Sequence, residues 1–389
     1  MHGKAHILYL VTEDWYFVSH RLGLARAVRD AGLEVTVLTR LRYHGEVIRN
    51  EGFRVLPFLL TRSRLSSMSE LRSIFNLIRL YRRERPDIVH HVGLKSSLYG
   101  SIAALFVPKV AVINVLTGLG FVFTSGHWMS RTLQPVVRFF GRLVLARVRG
   151  RTIVQNPDDL GTLRQAGMLR DATTHLIRGS GVDIAVFKKL PDPTGIPTIA
   201  FVSRMLKNKG VEDVVQAARI LRERGHDMRT VLIGMPDPDN PTSISAEQLC
   251  EWHDDGLIQW WGYRDDVVGI WRDAHIAVLP SYREGLPKSL LEAAASGRPI
   301  VATDVPGCRE IVHHGKNGFL VPLRDPRALA QALETLLNDK ALRERMGTQS
   351  REMIEANFHQ DLIIRETMKV YEELLMVTLT PKPLVSARA

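Results

Sequence analysis

The chain has 389 residues, 45% of them apolar, with 52 Lys+Arg against 41 Asp+Glu and a formal net charge of +11. Its length predicts two or three domains, and with no run of 18 or more apolar residues nothing reads as membrane-spanning. Two cysteines, Cys250 and Cys308, exclude a disulfide framework and a cysteine-based zinc site, which fits a reducing cytoplasm.

The chain begins MHGKAHILYLVTEDWYF, where charge arrives at Glu13 and Asp14 with no signal-peptide pattern. Strands are predicted over 6–12, 34–39, 87–91, 110–115, 152–155 and 174–177, and helices over 19–31, 69–83 and 96–105. The second half repeats the rhythm. Strands are predicted over 198–203, 229–233, 257–261, 276–280, 299–303 and 318–321, and helices over 211–224, 246–253, 289–295, 326–337 and 339–356. Strand–helix alternation means βαβ units and parallel sheets. The expected fold class is α/β, two Rossmann-like domains facing across a cleft. Expected boundaries are 1–187 for the first domain, 188–197 for a proline-rich linker and 198–357 for the second domain. A helix over 358–378 is expected to cross back, and 379–389 to be a disordered tail. Ligands of such sheets bind beyond the carboxyl ends of the strands, so the cleft is the expected site.

Charge is divided unevenly. Residues 1–185 hold 26 Lys+Arg against 13 Asp+Glu, and residues 186–389 hold 26 against 28. From Ile88 to Pro157 there are eight basic residues and no acid. Such a field suits a polyanionic partner, a membrane or a nucleic acid. Arg131, Arg138, Arg142 and Arg149 are spaced 7, 4 and 7. On a helix they form one narrow stripe, with Leu133, Val136, Phe140 and Leu143 opposite. A packed helix with a solvated basic face is the commoner origin of such a pattern; the acid-free stretch favours a membrane-facing surface.

Three second-half segments carry chemistry. Residues 203–210 read Ser-Arg-Met-Leu-Lys-Asn-Lys-Gly, so Arg204 and Lys209 flank a strand-to-helix turn and could grip a diphosphate. Gly262-Tyr263 ends a strand, where backbone could meet a nucleobase; neighbouring Trp260 reads as core. Residues 280–299 read PSYREGLPKSLLEAAASGRP. Here a buried strand leads through a Gly-Leu-Pro turn into a helix, and helix N-termini favour phosphate. Glu284 in the loop and Glu292 one turn into the helix can face one ligand, and carboxylates suit sugar hydroxyls. Asp237-Pro238-Asp239 reads as turn chemistry rather than a metal site. The dinucleotide and P-loop glycine motifs are absent.

Together, Arg204…Lys209-Gly210, Gly262-Tyr263, Glu284-Gly285-Leu286-Pro287…Glu292 and Thr303-Asp304-Val305-Pro306-Gly307…Glu310 resemble the donor domain of glycosyltransferase family 4, the retaining GT-B enzymes. In the first half, Trp15-Tyr16-Phe17…Ser19-His20-Arg21, Thr117-Gly118-Leu119-Gly120-Phe121 and Gly179-Ser180-Gly181-Val182-Asp183 resemble bacterial surface-polysaccharide transferases. The resemblance implies transfer of a sugar, an N-acetylhexosamine or hexose, from UDP-sugar to an undecaprenyl-diphosphate-linked saccharide at the inner face of the plasma membrane. It implies that Arg204 and Lys209 bind the diphosphate, Glu292 the ribose and Glu284 the transferred sugar, with Gly285 and Leu286 offering backbone N–H groups. No metal and no cofactor is implied. Acceptor-side candidates are Glu13, Asp14, His90, His91 and Lys95. The chain departs from the family at Glu13-Asp14-Trp15, where many relatives have a Gly-Gly loop. It departs again at Asp87-Ile88-Val89-His90-His91-Val92, where Val92 takes the slot of an acceptor-side histidine. A soluble acceptor such as a sugar phosphate is the alternative. A nucleic-acid-binding protein is the remote one, because basicity alone suggests it.

Overall fold

The computed structural model describes residues 4–60, 67–118, 141–142 and 150–376. Two compact units divide it: Met1–Ser180 with Asp361–Ala389, and Gly181–Gln360.

In the first unit, strands β1 (His6–Glu13), β2 (Glu34–Arg40), β3 (Arg54–Pro57), β4 (Ile88–Val92), β5 (Ala111–Leu116), β6 (Gly150–Val154) and β7 (Thr174–Leu176) form one sheet in the order β3-β2-β1-β4-β5-β6-β7. Every pairing in it is parallel. Such strands are buried on both faces, and β1 shows it. Ile7, Tyr9 and Val11 enter one core, while Leu8 and Leu10 enter the other. The helix Gln360–Leu375 returns to the first of these cores through Ile363, Ile364, Met368 and Tyr371.

In the second unit, β8 (Thr198–Val202), β9 (Arg229–Ile233), β10 (Gln259–Gly262), β11 (Ile276–Leu279), β12 (Ile300–Thr303) and β13 (Gly318–Val321) pair in parallel in the order β10-β9-β8-β11-β12-β13. One contiguous core holds this sheet and its helices.

Several expectations need correction. The division falls at Ser180/Gly181 instead of 187/188, and 188–197 is not a free linker. Val182 N–H donates to Phe358 O at 2.9 Å, and Gln360 N–H donates to Val182 O at 3.0 Å. Leu190 N–H donates to Ser296 O, Arg298 Nη1 donates to Pro191 O at 2.8 Å, and buried Arg343 pairs with buried Asp192 at 2.8 Å. Burial of that pair with backbone carbonyls around both arginines fixes the proline-rich segment to the second unit. The helix expected over 19–31 is two helices, Asp14–His20 and Leu22–Asp30, meeting at Arg21. Strand β3 and the helices Gly45–Asn50, Pro157–Gln165 and Val267–Asp273 had no strong signal in the pattern.

Candidate functional site

Because the second sheet is parallel throughout, the loops after β8, β9, β10, β11 and β12 leave one edge. Backbone bonds tie them together. Ser203 N–H donates to Ile233 O at 3.0 Å, Gly234 N–H to Gly262 O at 2.8 Å, and Met205 N–H to Met235 O at 3.0 Å. The Asn208 carbonyl accepts from Tyr282 N–H at 2.9 Å and from Ser281 Oγ at 3.2 Å. Gly307 N–H donates to Glu284 O at 3.2 Å.

Two glycines allow this closeness. Gly210 sits at φ +77°, and a Cβ there would lie 2.2 Å from Pro280 O. A Cβ on Gly307 would lie 2.5 Å from Gly285 O. Neither position admits a side chain without moving the catalytic-candidate loop 280–287.

The charged candidates come together on this frame. Lys209 forms a short ion pair with Glu284, which is buried. Arg204 Nη1 donates to Asp237 Oδ2 at 2.6 Å. Asp237 therefore does more than shape a turn: it holds the guanidinium. Glu292, 12% exposed, lies one turn into the helix Lys288–Ala295, with Lys288 Nζ 3.8 Å away. Burial pushes its carboxyl up to about 6, opposed by Lys288. The first turn of that helix has Pro287 as N-cap and no side-chain cap, which leaves it suited to an anion. Gly262 takes φ +66°, and Tyr263 beyond it is 61% exposed. Trp260 is half-buried and packs on the core, its indole N–H donating to Gly234 O at 2.9 Å, so it braces β9 against β10. Leu286 is also partly buried against this core.

Sequence reasoning missed Asp237 as the partner of Arg204 and Lys288 as that of Glu292. The second was legible, since residues four apart on a helix meet. It also missed Asn208, whose contribution is a backbone carbonyl and carries no side-chain signal.

In the first unit the candidates separate. Asp14 is wholly buried, and its carboxylate accepts backbone N–H bonds from Trp15 at 2.7 Å, Arg42 at 2.6 Å and His44 at 3.0 Å. It organises the turn after β2. Glu13 is buried with Arg42 Nε at 3.5 Å and Arg40 Nη1 at 3.8 Å. His90 and His91 point to opposite faces of β4. His91 has both ring nitrogens occupied, by Tyr81 Oη at 3.0 Å and Asn114 Oδ1 at 2.8 Å. Burial lowers its pKa to about 4, and a Cβ on Gly100 would lie 2.3 Å from its Nε2. It is a packed, neutral core histidine. His90 Nδ1 meets Tyr371 Oη at 2.7 Å, Tyr371 meets Tyr9 Oη at 2.9 Å, and His90 Nε2 has no hydrogen-bond partner. Burial holds its pKa well below the usual histidine range, helped by Arg21. Lys95 Nζ binds Glu70 at 2.9 Å and lies 5.2 Å from the Tyr99 ring centroid.

Of the basic stripe, Arg131, Arg138 and Arg149 lie outside the described residues. Arg142 Nε donates to Ala166 O at 2.7 Å. The string 119–123 also lies outside them.

Two family models match this chain: "Glycosyl transferase 4-like" over residues 6–141 and "Glycosyl transferases group 1" over residues 196–339. The chain is 24% identical over 368 residues to N,N'-diacetylbacillosaminyl-diphospho-undecaprenol alpha-1,3-N-acetylgalactosaminyltransferase of Campylobacter jejuni, covering 91% of this chain and 95% of that one. It is 23% identical to UDP-Gal:alpha-D-GlcNAc-diphosphoundecaprenol alpha-1,3-galactosyltransferase of Escherichia coli, over 72% of this chain and 73% of that one. Among solved structures, sucrose-phosphate synthase from Thermosynechococcus elongatus aligns with a TM-score of 0.78 at 20% identity, covering 96% of this chain and all of that one.

Proposed function

The chain belongs to the family 4 glycosyltransferases of GT-B architecture, and on that premise we propose that it moves one sugar from a UDP-sugar to a lipid-linked saccharide in bacterial polysaccharide assembly. The observation that carries this reading is the cation pair Arg204 and Lys209, each held by a carboxylate at the edge where helix Lys288–Ala295 begins. Two fixed cations and a helix N-terminus suit a leaving diphosphate. The C. jejuni and E. coli relatives act, by their names, on undecaprenol-linked acceptors, and the E. coli one uses UDP-Gal.

In this reading Arg204 and Lys209 neutralise the diphosphate, Glu292 takes the ribose hydroxyls, and Glu284 faces the transferred sugar. The bond from the sugar's anomeric carbon to the diphosphate oxygen breaks. A bond from that carbon to the acceptor oxygen forms on the same face, and the acceptor's proton passes to the departing diphosphate. Because the acceptor attacks on the face that the diphosphate leaves, configuration is retained without a protein nucleophile. The acceptor's membrane anchor makes the protein peripheral at the inner membrane face, and no described helix is long and apolar enough to cross a membrane.

A panel of UDP-, GDP- and ADP-sugars, each mixed with the protein and washed membranes, tests the donor. Release of UDP from one UDP-sugar is the expected result. Release only from an ADP- or GDP-sugar overturns the donor assignment.

A further inference from the structure

Helix Ser67–Glu84 packs inward through Leu77 and Tyr81, both wholly buried. Its other side is exposed and carries large apolar groups: Met68 at 77%, Leu71 at 64% and Phe75 at 58%. Spacings of three and four put them on one stripe. Arg72, Arg79 and Arg82 fall on the same stripe at about 100° per residue and are exposed. The two acids of the helix are withdrawn from it. Glu70 is buried against Lys95 at 2.9 Å, and the Glu84 side chain, 3% exposed, is held by Arg54 at 2.6 Å and Arg83 at 2.8 Å. The outer face therefore carries Met68, Leu71 and Phe75 with Arg72 among them over its first half, and Arg79 and Arg82 over its last two turns.

The cationic end continues into a cavity of about 500 Å³ lined by three cations, Arg82, Arg85 and Lys109, and one acid, Asp87, whose Oδ2 accepts from His6 N–H at 2.8 Å. Arg85 and Lys109 both take left-handed backbone, φ +46° and +67°, which glycine adopts more cheaply. At these two sites the chain carries cations in place of glycine, and both open on one cavity. Leu105 and Phe106 beside it are 57% and 52% exposed, and Arg82 Nη2 donates to Phe106 O at 3.2 Å.

We infer that this face lies on an anionic lipid bilayer, with Met68, Leu71 and Phe75 in the interface and Arg79, Arg82, Arg85 and Lys109 on lipid phosphates. A bilayer with anionic headgroups matches apolar and cationic groups on one helix side at once. The inference rests on the lipid-linked acceptor and deepens it. Glu70 lies between Met68 and Leu71 in the chain and holds Lys95, so the apolar end of the face adjoins an acceptor-side candidate.

The test is sedimentation of the full chain with vesicles of phosphatidylglycerol and phosphatidylcholine, at low and high salt. Expected is salt-sensitive sedimentation with mixed vesicles and much less with phosphatidylcholine alone. The exposed double variants Leu71→Ser/Phe75→Ser and Arg79→Glu/Arg82→Glu should each lower partitioning by at least about tenfold, with circular-dichroism melting unchanged. Wild-type sedimentation by both variants, or no sedimentation by the parent, overturns the inference. Transfer in detergent separates the two readings. If a lipid-linked saccharide is extended in detergent but vesicles are ignored, the docking face is wrong and the reaction stands. If vesicles bind through this face and no lipid-linked saccharide is ever extended, the face stands and the proposed acceptor fails.

Discussion

Arg204 Nη1 lies 2.6 Å from Asp237 Oδ2, a bond that joins the loop after β8 to the loop after β9. Lys209 is held in the same manner by Glu284, from the loop after β11. Each cation thus waits in a fixed position with its charge partly compensated, ready for a stronger anion to take over. Preorganisation of this kind needs no rearrangement when charge develops on the leaving group.

Arg204→Ala and Lys209→Ala should each lower turnover by about 10²–10³, the usual loss for one aimed charge at a developing anion. Asp237→Asn keeps the cation and removes its holder, so its loss should be much smaller. Nucleotide release read by a coupled assay checks all three. Near-normal turnover in both cation variants would sink the assignment.

Glu292 gives a pH dependence of definite sign. Its folded value, about 6, lies above the ordinary 4.5, because burial disfavours the charged form. The stability it contributes is present below 4.5 and is lost as pH rises through 6. Binding runs the other way, because the ionised carboxylate is the better acceptor for ribose hydroxyls. UDP affinity by calorimetry should therefore rise between pH 5 and 7, and Glu292→Gln should flatten the rise while weakening binding. A parent whose affinity is flat across that range removes Glu292 from the ribose.

Gly307→Ala puts a Cβ 2.5 Å from Gly285 O, against backbone that has nowhere to yield. It should destabilise the protein by about 1–3 kcal/mol and displace Glu284 from Lys209. Thermal melting and turnover together check this. Gly315→Ala is the comparison: a Cβ there meets nothing within 4 Å, though its positive φ carries some strain of its own. A Gly307 variant with parental melting and turnover contradicts the close approach.

Most of the donor edge was legible because its signals are local. A buried strand, a Gly-Leu-Pro turn and a helix start occupy consecutive residues, so Glu284 and Glu292 could be placed from 280–299 alone. The Asp237–Arg204 bond joins residues 33 apart, and sequence offers no reason to prefer it over a turn. The histidines show the same limit. Strand alternation separates His90 from His91, but only tertiary packing shows His91 closed by Tyr81 and Asn114 while His90 keeps Nε2 without a partner. Proline-rich segments usually connect domains, whereas here Arg298 and Arg343 bind 191–192 into the second unit, a tertiary contact that the local pattern does not carry.

Turnover should survive EDTA, since protein cations do the neutralising and Asp237 is occupied by Arg204. Loss of activity with EDTA, restored by manganese, would revive Asp237 and Asp239 as metal ligands and count against the proposed leaving-group chemistry.

The central claim is transfer of a sugar to a lipid-linked saccharide, and the mass of that lipid after reaction tests it most directly. An undecaprenyl-diphosphate-linked saccharide incubated with the protein and the active UDP-sugar should gain the mass of one sugar residue, with one UDP released per lipid extended. UDP release with the lipid's mass unchanged, and a glycosylated water-soluble product in its place, would contradict the account and assign the acceptor to a soluble compound.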